Sequence, residues 1–210
     1  MVQVTAVEFL RQNKVRIISD DGTRYQLLKT VYEERPLETG NTLDPREFAQ
    51  WVLRQQYRPA LEKAVSLLAQ RAHSREEIRK KLTASGYSSE TVEIILYKLD
   101  KHHLLDDRDF AGQFSRSKAG RLYGPHRISR ELRFRGVSEE DSESALSEIP
   151  EEQLRRDTLL LAEKALRRIK PGEDSRKAMD KAITSIVRRG YDWELAREAV
   201  RQVFGQDDDP

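Results

Sequence analysis

Three glycines, Gly86, Gly136 and Gly190, sit in the same local pattern, and that pattern restricts the chain to one kind of architecture. Four residues before them stand Leu82, Leu132 and Ile186; eight before stand Ile78, Ile128 and Ala182. Two after stand Ser88, Ser138 and Asp192, residue types whose side-chain oxygens cap helix N-termini. Nine, ten and thirteen after stand Ile95, Leu96 and Leu99; Ala145, Leu146 and Ile149; and Ala199, Val200 and Val203. Apolar residues three and four apart define one face of a helix, and glycine ends helices through a left-handed turn. Each anchor therefore marks a helix, a stop and a second helix. The anchors recur 50 and 54 residues apart, which predicts three tandem three-helix repeats.

The first helix of each repeat is read from its own stripe. Leu61, Ala64, Val65, Leu68 and Ala69 supply it in the first repeat, and Leu154, Thr158, Leu161, Ala162, Ala165, Leu166 and Ile169 in the third. Ser74-Arg75-Glu76-Glu77 is a capping box, and Asp44-Pro45-Arg46-Glu47 starts an earlier helix toward Gln56. Trp51 and Trp193, near helix starts, read as packing between repeats. Before Asn41 the period changes. Val2 to Val7, Val15 to Ile18 and Tyr25 to Leu27 read as three short strands, with Asp20-Asp21-Gly22 as a hairpin turn.

The reading is a mainly α chain with a small N-terminal antiparallel β element. Its organisation is a β-rich element over 1–40, a linking helix over 41–58, repeats over 59–105, 106–150 and 151–205, and an acidic tail over 206–210. The tail is expected to be disordered, with a regulatory role as the competing reading. Of 210 residues only 37% are hydrophobic and 35% are charged. A buried aliphatic side chain contributes about 1.5–3 kcal/mol, so one repeat barely offsets the entropy of ordering it. The repeats are therefore expected to lean on their neighbours as an elongated, curved rod.

Composition removes several classes of function. There is no cysteine, hence no disulfide and no thiolate metal site. No apolar run approaches the length of a membrane span, and residues 1–9 do not resemble a secretion signal, so a cytoplasmic protein without membrane contact is expected. No GxxxxGK[ST] or GxGxxG loop occurs, and four histidines form no recognisable nucleophile arrangement, so neither a cofactor nor catalysis is expected. Asp106, Asp107 and Asp109 beside His102 and His103 bring metal-ligand types together without the spacing of a zinc site; helix capping is the preferred reading.

Net charge is only +2, yet between Gly112 and Gly136 stand Arg116, Lys118, Arg121, Arg127, Arg130, Arg133 and Arg135 against the single acid Glu131. Guanidinium groups at this density suit phosphates or carboxylate-rich surfaces, and a solvated helix face is the alternative. Arg127 and Arg130 share a face that Arg133 or Arg135 extends. Tyr123, among basic residues, either stacks on a base or packs with its hydroxyl exposed. Phe110 and Phe114 read as core.

His103-Leu104-Leu105-Asp106-Asp107-Arg108-Asp109-Phe110-Ala111, then Gly124-Pro125-His126-Arg127-Ile128 and Glu131-Leu132-Arg133-Phe134-Arg135-Gly136-Val137, resemble the core signature of RecX regulators. Ser74, Glu77, Ile78, Leu82 and Gly86 match more weakly. The likeness covers about residues 55–205 as architecture and is specific over 104–137. It implies a modulator lying in the groove of the RecA–DNA filament, generally an inhibitor of strand exchange, ATP turnover and repressor cleavage. Asp106, Asp107, Phe110, Ala111, Gly124, Ile128, Glu131, Leu132 and Gly136 would be its structural signature, and the seven basic residues its contacts. The implied partners are the RecA filament and DNA, met directly or through it, with the chain a monomer. A stand-alone helical DNA-binding protein or transcription regulator is the competing reading; a hydrolase built on Asp106, Asp107 and His103 is a third.

Overall fold

The structure, a computed structural model of the chain, describes residues 1–169 and 174–205; the acidic tail lies outside them. Four strands form one antiparallel sheet: β1 (Val2–Leu10), β2 (Lys14–Ser19), β3 (Arg24–Leu28) and β4 (Thr42–Leu43), in the order β3-β2-β1-β4. Gln12 and Asn13, both at positive φ, turn β1 into β2. Among the described residues ten helices follow or interleave: α1 (Lys29–Glu34), α2 (Pro45–Gln70), α3 (Arg75–Ser85), α4 (Ser89–Lys101), α5 (Asp107–Ala119), α6 (Pro125–Phe134), α7 (Glu139–Ser147), α8 (Glu151–Leu166), α9 (Ser175–Arg188) and α10 (Trp193–Gly205). The chain divides into two compact units, 1–106 and 107–210.

In the first unit the sheet buries Val4, Val15, Ile17 and Leu27 against Val31 of α1 and Phe48 and Val52 of α2. The fourth strand and α1 were not expected from the sequence: β4 has two residues, and α1 has only six with no side-chain cap, so neither shows a period. A second core joins Ala60 and Ala64 of α2 to Ile78 and Leu82 of α3 and Ile95, Leu96 and Leu99 of α4. Helix α2 thus serves both cores. The expected linking helix and the first repeat helix are one 26-residue helix running through Pro59. An interior proline costs about 3 kcal/mol, and burial on both sides of it offsets that cost. Fully buried Gln56 ties α2 to the start of α4, its Oε1 accepting from Ser88 N (2.8 Å) and Thr91 Oγ1 (3.3 Å).

The second compact unit holds the other two repeats, α5–α7 and α8–α10. The anchors behave alike in all three. Gly86, Gly136 and Gly190 have φ of 101°, 74° and 97°, the left-handed region a helix stop uses. Ser88, Ser138 and Asp192 accept from Thr91 N, Asp141 N and Glu194 N at 3.2, 3.0 and 2.8 Å. Leu82, Leu132 and Ile186 are buried. The tryptophans differ from their reading. Trp51 packs against the sheet–α2 core and stacks on Phe48, whereas Trp193 is half exposed beside Arg197. A tryptophan in the first turn of an amphipathic helix has a wet side, and Trp193 occupies it.

Candidate interaction surface

Helix α6 has three stripes. Ile128 and Leu132 point inward and are fully buried. Arg127, Glu131 and Arg135, four apart, run along its flank. His126, Arg130, Arg133 and Phe134, at i, i+4, i+7 and i+8, form an exposed outer stripe, with Phe134 76% exposed.

The seven basic residues therefore divide. Lys118, Arg127 and Arg135 converge on Glu131. Lys118 Nζ reaches its Oε2 at 2.5 Å, Arg127 Nε its Oε1 at 3.2 Å, and Arg135 Nη1 donates to its backbone oxygen at 2.9 Å. Burial alone would raise the Glu131 carboxyl, but hydrogen bonds from Lys118 and Arg127 outweigh it and hold the group below its ordinary value. The same cations cover aromatic faces. Lys118 and Arg135 lie 5.1 and 4.5 Å from the Phe114 ring, and Arg127 lies 4.1 Å from the Tyr123 ring. Tyr123 is thus occupied by the protein's own guanidinium, which leaves no open face for a base on that side. This cluster locks α5 to α6.

Arg116, Arg121, Arg130 and Arg133 are exposed. Arg116 pairs with Glu148 at 3.2 Å. Arg121, Arg130 and Arg133 meet no acid among the described residues. Sequence spacing grouped Arg127 with Arg130, but Glu131 draws Arg127 to the flank, so Arg130 shares the outer stripe with Arg133 instead. The repeat as a whole is segregated rather than cationic: eight basic and nine acidic residues stand between 106 and 150. The acids gather at the starts of α5 and α7.

The start of α6 has no capping side chain. Its N-cap is Gly124 and its next residue, Pro125, has no N–H. The neighbouring repeat supplies the acceptors: Gly124 N donates to Arg189 O (2.9 Å) and His126 N to Gly190 O (3.0 Å). Arg189 Nη1 returns a bond to Leu122 O at 3.3 Å, and its guanidinium lies 5.8 Å from Tyr123. A Cβ on Gly124 would stand 2.4 Å from Gly190 C, and one on Gly190 2.4 Å from Arg127 N. Only two glycines permit that approach.

The remaining signature residues are structural in placement. Phe110 and Ala111 are buried in α5, Asp107 lies in its first turn, and Asp106 is exposed just before it. Among the described residues no group of three or more metal-ligating side chains comes together, and no helix is long and apolar enough to cross a membrane. Two residues escaped the sequence reading. Phe134 lies off the Ile128/Leu132 stripe, which is a legible sign of exposure. Arg189 precedes its glycine as Arg135 precedes Gly136.

These features define a class: a helical repeat protein with an unneutralised cationic stripe on a short helix. Family models described as the first and the second three-helix domain of RecX match residues 60–99 and 106–146. The regulatory protein RecX of Chlorobaculum tepidum is 37% identical over 149 residues, which cover 70% of this chain and 90% of that protein. A RecX of Clostridium botulinum (strain Alaska E43 / Type E3) is 22% identical over 207 residues, 97% of each chain. A crystal structure of a regulatory protein RecX superposes with a TM-score of 0.66 at 25% identity, covering 96% of this chain and all of that one. A RecX from Lactobacillus salivarius, at 20% identity and a TM-score of 0.64, shares the fold. The chain belongs to the RecX family of regulatory proteins.

Proposed function

We propose that this protein binds the RecA–DNA filament and restrains RecA, with the outer stripe of α6 as its contact surface. Arg130 and Arg133 carry the charge, Phe134 adds an apolar contact beside them, and Arg116 and Arg121 extend the field. Lys118, Arg127 and Arg135 act through Glu131 by holding α6 on α5. The observation that carries this reading is the pairing pattern: three cations are neutralised internally, while Arg121, Arg130 and Arg133 are exposed and meet no acid among the described residues. Tandem repeats bridging successive protomers would block access to the groove and add weak contacts into useful avidity. The action is steric and kinetic and needs no covalent chemistry.

The test is RecA-dependent ATP hydrolysis on single-stranded DNA with increasing amounts of protein. Wild type should inhibit. Arg130→Glu/Arg133→Glu should need on the order of tenfold or more protein for the same inhibition, equivalent to about 1.4 kcal/mol, with unchanged circular dichroism. Inhibition equal to wild type removes the α6 stripe from the mechanism. Full ATPase activity at saturating wild type removes RecA.

A further inference from the structure

Helix α9 of the third repeat carries a second exposed stripe: Lys177, Lys181, Thr184, Ser185 and Arg188. Several exposed cations sit near an acid of the same helix, as Arg58 with Glu62, Arg167 with Glu163 and Arg197 with Glu194. Lys177 and Arg188 meet no acid among the described residues. The first turn of α9 is also reversed in sign. Helices α7 and α8 open with two or three acids, as the helix dipole favours, whereas α9 opens with Arg176 and Lys177 and no acid. Its cap, Asp174, accepts backbone N–H groups, from Arg176 at 2.9 Å and Lys177 at 3.2 Å. The helix dipole does not favour cations placed there.

The stripe has lysines, an arginine, hydroxyls and one acid, Asp180, but no aromatic residue. Protein–protein contact surfaces are poor in lysine and rich in aromatics, whereas phosphate backbones are bound by Lys, Arg, Ser and Thr. Position adds a further reason. The C-terminal end of α9 meets the N-terminal end of α6 through the Gly124–Gly190 contact, where carbonyls of Arg189 and Gly190 receive the N–H groups of Gly124 and His126. The two cationic helices are joined end to end by backbone.

We propose that α9 is a second binding surface, for the phosphodiester backbone of single-stranded nucleic acid, held in fixed register with α6 by the Gly124–Gly190 contact. It rests on the reading of α6 as an interaction surface. The third repeat thereby caps the contact helix of the second and extends it.

The experiment is fluorescence anisotropy of a labelled oligodeoxythymidine titrated with the full chain over a series of salt concentrations, without RecA. Lys177→Gln/Arg188→Gln should bind several-fold more weakly at low salt. Each phosphate contact contributes about 0.7 to the slope of log K against log salt for a single strand, so this variant should lower the slope by about 1.4. Arg130→Gln/Arg133→Gln is the parallel variant on α6. Gly124→Ala, which keeps every cation but forces the helices apart, should also weaken binding while circular dichroism stays helical. Unchanged affinity and slope in the α9 variant, with the α6 variant weakened, overturns the α9 proposal and leaves the α6 reading standing. No oligonucleotide binding by wild type overturns it as well, and inhibition of RecA ATPase then decides the α6 reading separately. An α9 variant that loses only filament binding, with the oligonucleotide slope unchanged, means that the face meets protein, which also overturns the proposal.

Discussion

Helices α3 and α6 hold the same place in successive repeats, fifty residues apart, and bury the same pair of positions: Ile78 and Leu82 in one, Ile128 and Leu132 in the other. Their outer faces differ. On α3, Glu76 pairs with Arg79 and Lys80, Glu77 with Arg71, and Glu93 of α4 takes Arg79 by two hydrogen bonds. On α6 the positions of Glu76 and Glu77 are His126 and Arg127, so Arg130, which stands where Lys80 does, has no acid four residues before it. Thr83 and Ala84 are replaced by Arg133 and Phe134. One architecture thus gives a neutralised face and an unneutralised one, and the difference lies at these four positions.

The shared core gives the largest effect and the least discrimination. Leu82→Ala and Leu132→Ala should each destabilise the protein by roughly 2–5 kcal/mol, the usual cost of a buried Leu cavity, measured by urea unfolding. A large inequality between them would mean that the two repeats are not energetically alike.

The caps come next. α3 is capped inside its own repeat, Ser74 Oγ accepting from Glu77 N at 3.1 Å, whereas α6 is capped by another repeat. Ser74→Ala should cost about 0.5–2 kcal/mol. Gly124→Ala should cost about 1–3 kcal/mol, as overpacking does, and should also raise amide exchange at the start of α6 and around Gly190. Exchange confined to α6 would break the idea that the third repeat depends on the same contact.

Glu131 and Glu93 test how each face is held. Both carboxyls lie below their ordinary values, Glu93 through hydrogen bonds from Arg79 and Glu131 through bonds from Lys118 and Arg127 that outweigh its burial. A depressed carboxyl stabilises the fold above its unfolded pKa, about 4.3, and loses that contribution as pH falls through the lower folded value. Glu131→Gln should cost about 1–3 kcal/mol, since it leaves half-buried cations unsatisfied, and should flatten the acid limb of stability against pH below about 4.3. Glu93→Gln, on a more exposed pair, should cost about 0.2–1 kcal/mol. Thermal melts between neutral and acid pH decide both.

Much of this comparison is written in the chain. The glycine anchors, their Ser and Asp caps and the aliphatic positions before and after them all depend on contacts within a few residues, which spacing reveals. The neighbours of a cation do not. Lys118 and Glu131 are thirteen apart and on different helices, and Arg189 reaches Tyr123 across two repeats, so the division of the basic residues was invisible to periodicity. The turn at Gln12-Asn13 lacks the glycine that signals a hairpin, and the continuity of α2 through Pro59 depends on two tertiary cores that local spacing does not show.

The smallest expected change isolates the difference between the two faces. His126→Glu restores on α6 the acid that α3 has at Glu76, four residues before a cation. The new carboxylate would sit N-terminal to Arg130 in the favourable i, i+4 order and at the positive end of the helix, so stability should rise by about 0.3–1 kcal/mol. The backbone bond from residue 126 to Gly190 O does not involve the side chain and should persist. RecA inhibition should nonetheless weaken, because Arg130 would then be spent on an internal pair as Lys80 is. Stability up and inhibition down in the same variant is a combination that damage to the fold cannot produce. Stability up with inhibition unchanged would show that an unpaired Arg130 is not what separates α6 from α3, and would shift the weight of the contact onto Arg133 and Phe134.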